Sequence, residues 1–102
     1  MSIVIVATIV PVTEHRDAVR AAVTTAAEQV HDEPGCELYA VHEAADRLVL
    51  VEKWESPEAL AAHREGAALA ALGGALRGKV TGAPDVVLLQ AVPAGQTAKG
   101  QL

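Results

Sequence analysis

The stretch that most constrains this chain is Leu48 to His63, LVLVEKWESPEALAAH. Its opening, Leu48 to Val51, is apolar at every position, and alternation sets in only over the residues that follow to Glu55. Glu52 and Trp54 there share one face, and Lys53 and Glu55 share the other. That pattern predicts a buried strand over Leu48 to Trp54. Ser56 then supplies a cap oxygen for the orphan amides of a helix, Pro57 suits its first turn, and Glu58 sits near the positive end of its dipole. Position 59 is alanine, so the cap is not a full capping box. A strand running directly into a helix is therefore predicted, with His63 carried on that helix.

The flanking sequence repeats these signals. Ile3 to Val10 is almost wholly β-branched and ends at Pro11, which predicts a first strand. Thr13 is a candidate cap for a helix from Glu14 to about Val30. Its apolar stripe is Val19, Ala22, Val23, Ala26, Ala27 and Val30, opposite Arg16, Arg20, Thr24 and Glu28. The segment His31 to Gly35, HDEPG, breaks that helix. Cys36 to Glu43 reads as a second strand and Ala44 to Arg47 as a hairpin turn into the third. The second helix is expected from Pro57 to about Leu69, and a further helical piece over Ala70 to Leu76 is expected to be interrupted at Gly73-Gly74, as a bend or a short separate helix. After the Gly82 to Asp85 turn comes a last strand, Val86 to Val92. One domain over residues 1–92 and a polar, mobile tail over residues 93–102 follow.

The order β-α-β-β-α-β with right-handed crossovers predicts an α+β, ferredoxin-like fold, a four-stranded antiparallel sheet with its helices on one face. Strands one, three and four are apolar on both sides, and helices cover only one. The uncovered face would exceed the apolar patch a monomer tolerates, so sheet-to-sheet association with a second copy is expected, giving a homodimer.

Composition narrows the partners. With 51% apolar and 21% charged residues, the chain is a folded globular domain. It contains no Phe or Asn and only one Trp and one Tyr, so alanine and valine must fill its interior. A net charge of -5 argues against nucleic acid and anionic membranes. The N-terminal apolar run is too short to span a bilayer. The lone Cys36 excludes an intrachain disulfide and fits a reducing cytoplasm.

The segment EPGCELYAVHEAADRLVLVEKWESPEALAAH and the closing GAPDVVLLQAV resemble the antibiotic biosynthesis monooxygenase family, and the likeness runs from Ile3 to Val92. Its marks are Pro34-Gly35-Cys36, the Trp54-Glu55-Ser56 junction and Ala62-His63. The resemblance implies a dimeric α/β-barrel. It also implies a range of activities: cofactor-independent oxygenation of phenols and quinols, haem degradation, and isomerisation of a signalling sugar.

Cofactor-independent oxidation needs a substrate made electron-rich by deprotonation, so that its anion passes an electron to O₂. The protein must supply a proton acceptor, donors for the developing anion, and a dry pocket. Of the four histidines, His15 and His31 lie at the ends of the first helix and read as solvated. The resemblance matches His42 to a pocket histidine of phenol-oxidising members; read from the strand alone, it is equally a strand-end residue facing water. His63 is either a pocket histidine, as in quinol-oxidising relatives, or a satisfied structural one. Trp54 matches a pocket tryptophan whose indole donates to substrate, and it is also a natural core anchor. Tyr39, the only phenol, is a candidate ligand donor or a packing residue. Glu52 reads as a buried acid of raised pKa or, more simply, as the partner of an arginine. Cys36, with no basic neighbour in sequence, reads as a packing thiol.

The chain departs from its relatives in ways that shape the pocket. Many members continue Ala-His into Pro-His-Phe, where this chain has Ala67, Ala68 and Leu69. Polyketide-oxidising members place an Asn before the Trp and a Tyr after it, and here those positions are Leu50 and Leu60, which become apolar substrate contacts. The absence of Asn disfavours haem degradation. No clustered His or Cys motif points to a metal, and no cofactor is called for. The sequence therefore predicts an oxygenase of a small phenolic or quinol-type compound using O₂, with a non-catalytic ligand-sequestering module or an isomerase as alternatives. Strand period alone leaves two hairpins open. Glu43 paired with Leu48 puts His42 on the face away from Trp54, and Glu43 paired with Arg47, or a bulge, puts it on the same face. The resemblance, which places both residues in the pocket, implies the second.

Overall fold

The computed structural model describes residues 2–102. Its elements run β1 (Ile3–Ile9), a single 3₁₀ turn (Thr13–His15), α1 (Arg16–Val30), β2 (Cys36–Glu43), β3 (Leu48–Trp54), α2 (Pro57–Arg64), α3 (Ala67–Leu76), β4 (Asp85–Leu89) and a short α4 (Thr97–Gly100). The four strands form one antiparallel sheet in the order β2-β3-β1-β4, the ferredoxin-like arrangement. None of the helices in the described residues is long and apolar enough to cross a membrane.

The period-two pattern of β3 decides which side of the sheet is the core. Leu48, Leu50, Glu52 and Trp54 are all buried, while the residues between them are only partly so. In register with them, Ile5, Ala7 and Ile9 of β1 line the same face. The stripe on α1 closes over it through Val19, Val23, Ala26, Ala27 and Val30, and α3 adds Ala68, Leu72 and Leu76. The opposite face carries Val4, Val6, Val49, Val51, Val87 and Leu89, away from the side on which α1 and α3 pack. There Lys53 Nζ donates to the backbone oxygen of Leu102 at 3.0 Å, tying the end of the tail to this side.

Local details differ from the sequence reading. The first helix is entered through the 3₁₀ turn, so His15 rather than Thr13 occupies the cap position, without a side-chain bond. Ser56 caps α2 as expected, its Oγ accepting from Ala59 N–H at 3.1 Å. The helical region after it breaks at Gly66, which is extended (φ -79°, ψ 164°), and continues unbroken through Gly73-Gly74. Two glycines cost a helix about 1 kcal/mol each, but burial of Leu72 and Leu76 on either side of them holds α3 together. β4 ends at Leu89, short of the expected Val92.

The hairpin is the substantive correction. Glu43 pairs with Leu48 and His42 with Val49, and the turn closes with Ala44 N–H donating to Arg47 O at 2.8 Å. The expected switch of parity does not occur there. A bulge does interrupt β2, but between Cys36 and Leu38, at the far end of the hairpin, where it leaves the parity of residues 38–43 unchanged. Arg16 and Arg20 of α1 hold the hairpin from outside. Both bond Glu43, Arg20 at 2.6 Å, and Arg16 also donates to the carbonyls of Ala44 and Ala45.

Candidate functional site

Between the covered face of the sheet and α2–α3 lies a cavity of about 300 Å³. Its apolar walls include Ile5, Leu50, Leu60, Leu69, Leu72 and Leu76, and Pro84 and Val86 close its far side. The polar side chains reaching it are Tyr39, Glu52, His63 and Arg64. Val86 and Leu88 of β4 face this side and stay half exposed.

His63 is the centre of this constellation. Four residues into α2 from Ala59, it points down onto the sheet and is 5% exposed. Its ring stacks on Trp54 with centroids 4.4 Å apart and planes at 28°, and Tyr39 meets it edge-on at 5.7 Å. Nδ1 lies 2.7 Å from Glu33 Oε1, and Nε2 lies 4.0 Å from Glu52 Oε1. Glu52 sits beside Trp54 by strand alternation, and the Trp54 indole donates to its Oε1 at 3.0 Å. Among the described residues no arginine pairs with Glu52, contrary to the simpler expectation; its direct polar partner is the indole.

Electrostatics follow from the burial. Removal from water pushes the Glu52 carboxyl above the ordinary carboxylate range, against the opposing pull of the Trp54 hydrogen bond and the nearby His63 and Arg64. Burial, and then the charges of Glu52 and Glu33, push the Tyr39 phenol well above its usual range, so it remains an O–H donor. Cys36 is also pushed up by burial, the reverse of an activated thiolate.

Of the residues singled out in the sequence, Tyr39, Leu50, Glu52, Leu60 and His63 come together around the cavity. His42 does not. It pairs with Val49 on the uncovered face, is exposed, and its Nδ1 bonds the Ala40 carbonyl of its own strand at 3.3 Å. With side chains alternating and no parity switch at the turn, it cannot reach the cavity. Trp54 lies behind the site rather than in its wall: it is wholly buried and its one donor is used by Glu52. Of the helix-end histidines, His31 bonds the Tyr39 carbonyl at 2.9 Å and so fastens α1 to β2.

Two residues at the site have no counterpart in the sequence reading. Arg64 follows His63 and reaches the cavity from the last turn of α2. Glu33 lies in the HDEPG segment, read only as a helix breaker, and meets a histidine 30 residues away. An acid beside a Pro-Gly turn is the only local signal, and it does not name a partner. Among the described residues, no group of three or more His, Cys, Asp or Glu side chains is arranged to hold a metal ion.

A family model described as antibiotic biosynthesis monooxygenase matches residues 2–74. Among solved structures, the chain is similar to a protein of Mycobacterium tuberculosis at 24% identity and TM-score 0.86, covering 94% of this chain and 100% of that one. A Caulobacter crescentus protein, provisionally named an antibiotic biosynthesis monooxygenase, is similar at 26% identity and TM-score 0.82, covering 89% and 90%. A Nitrosomonas europaea protein with the same provisional name gives 22% identity and TM-score 0.84, covering 92% and 94%. No significant match is found among curated protein sequences.

Proposed function

Because the chain belongs to the antibiotic biosynthesis monooxygenase family, we propose that it is a cofactor-independent monooxygenase that oxidises a small phenol- or quinol-type compound with O₂ in the cavity beneath α2 and α3. The observation that carries the reading is His63, a buried imidazole in the wall of a mainly apolar cavity of about 300 Å³ that Tyr39, Glu52 and Arg64 also reach. That volume suits one or two aromatic rings.

In this reading His63 accepts the phenolic proton. Tyr39 O–H and the neutral form of Glu52 donate to the anion that develops. The apolar walls keep water from the anion, so its electrons are available to O₂. One electron passes to O₂, the radical pair joins through a new carbon–oxygen bond, and the resulting hydroperoxide loses water. A phenol with a free ring position and one O₂ thus give a quinone and one H₂O, with all four electrons supplied by the substrate. Trp54 supports this chemistry from behind, as the stacking surface for His63 and the donor that orients Glu52.

The working form in this proposal is a homodimer joined through the uncovered sheet face. The support is the apolar set Val6, Val49, Val51, Val87 and Leu89 on that face, of which Val87 and Leu89 are more than 40% exposed.

The test is O₂ consumption by metal-stripped protein offered a panel of phenols, hydroquinones and naphthols. Turnover is expected with at least one of them, and loss of about a hundredfold or more is expected in His63→Ala. Tight binding of the same compounds with no O₂ uptake would overturn the oxygenase reading in favour of a ligand-sequestering module.

A further inference from the structure

We propose that Glu33 is the positioning residue of this site: it holds His63 with the ring proton on Nδ1 and turns an unprotonated Nε2 into the cavity. The catalytic consequence rests on the oxygenase reading above; the tautomer rests on geometry alone.

A carboxylate can only accept a hydrogen bond, so at 2.7 Å from Glu33 Oε1 the Nδ1 atom must carry the proton. A neutral imidazole has one such proton, which leaves Nε2 as an acceptor. The ring is not free to turn over. Trp54 stacks against one side of it, Tyr39 meets its edge, and the residue is buried, so a flip would strip Nδ1 of its partner inside the protein. The pair follows the logic by which a buried acid orients a histidine base from the side away from the substrate.

Two otherwise unexplained local features converge on Glu33. The first is the turn between α1 and β2: Glu33 N–H donates to Val30 O at 2.9 Å and its carbonyl accepts from Cys36 N–H at 3.2 Å, so its backbone is fastened on both sides. The second is the helix break at Gly66. A Cβ at that position would lie 3.2 Å from Glu33 Oε2 and 3.3 Å from the His63 carbonyl. A glycine there leaves room for the carboxylate between the turn and α2.

The other titratable and charged groups around His63 are Tyr39 and Cys36 on β2, Glu52 on β3 and Arg64 on α2. Only Glu52 approaches Nε2, at 4.0 Å, beyond hydrogen-bond length. At that distance it makes no direct bond that would hold a proton on Nε2.

Long-range ¹H–¹⁵N correlation spectra of the full-length ¹⁵N-labelled protein, at a pH of about 8 where a typical histidine is neutral, test this directly. The wild type is expected to show a protonated Nδ1 and a bare Nε2 at His63. Glu33→Gln should keep that tautomer, because the amide oxygen still accepts, and Glu33→Ala should lose it. With a turned-over phenol, Glu33→Ala should lower kcat by about tenfold or more with KM changed less than about twofold, and Glu33→Gln should restore part of the loss. A wild-type spectrum with the proton on Nε2 would overturn the proposal even if Glu33→Ala failed to fold. An unchanged tautomer and kcat in a folded Glu33→Ala protein would overturn it equally. Tautomer loss in Glu33→Ala beside a wild type that consumes no O₂ would refute the oxygenase reading and support the assignment of Glu33.

Discussion

Trp54→Phe should destabilise this domain chiefly by uncoupling Glu52. The indole is wholly buried, and its Nε1–H is the donor to a carboxyl that is itself 5% exposed. Phenylalanine keeps a six-membered ring against His63 but has no donor, so the Glu52 oxygen loses its partner where water cannot replace it. Leaving such a group unsatisfied costs about 1–3 kcal/mol, and the missing part of the indole adds roughly 1 kcal/mol of lost burial. A total of about 2–4 kcal/mol is a large share of a small domain's stability and corresponds to a fall in Tm of roughly 10–25 °C. The assay is urea unfolding followed by circular dichroism at fixed protein concentration, since the substitution removes the only tryptophan as a probe. The decisive comparison is a double-mutant cycle with Glu52→Leu. With the carboxyl already gone, Trp54→Phe should cost less by about 1–2 kcal/mol, the coupling typical of residues in contact. Additivity within about 0.5 kcal/mol would refute the reasoning, because it would mean that the 3.0 Å bond contributes nothing to stability.

Glu52→Gln tests the electrostatics. Burial raises the Glu52 pKa above its unfolded value of 4.5, so between those two values the folded state holds more protons than the unfolded one, and stability falls as pH rises. The glutamine variant should therefore gain on the wild type as pH is raised from about the unfolded carboxylate value toward neutrality, in urea midpoints measured across that range; a parallel pH profile would contradict the shift. Gly35→Ala should cost about 2–4 kcal/mol in thermal melts, since φ is +82° and the new Cβ would lie 2.4 Å from Ala59 Cβ. Val87→Asp, on the uncovered face, should convert the proposed dimer to monomer in light scattering, because a buried unpaired carboxylate costs several kcal/mol; an unchanged mass would remove that face from the proposed interface. His42→Ala should leave kcat within about twofold of the wild type, because a residue on the far face touches no part of the cavity.

Much of the architecture is written in local pattern. β3 reads from its own residues because alternation of Leu48, Leu50, Glu52 and Trp54 follows from the two-residue period of any strand. The α2 start reads from Ser56-Pro57 because capping is settled within one turn. The sequence also placed Glu52 and Trp54 on one face, and in order β-α-β-β-α-β it allowed few topologies. What it left open were choices between arrangements of nearly equal local merit. A turn of either parity could have joined Glu43 to the next strand, and it is the closed sheet, with Arg16 and Arg20 gripping the hairpin, that accompanies the pairing with Leu48 and leaves His42 outside. Glycine costs a helix much the same at Gly66 as at Gly73 or Gly74, so propensity alone does not say that the chain breaks at the first and runs helical through the others. Glu33 itself lies in a stretch whose only local message is that a helix ends. Its partner is 30 residues away, and that encounter is decided by how α2 packs over the α1–β2 turn, because a hydrogen bond between distant side chains depends on packing and leaves no periodicity in the sequence.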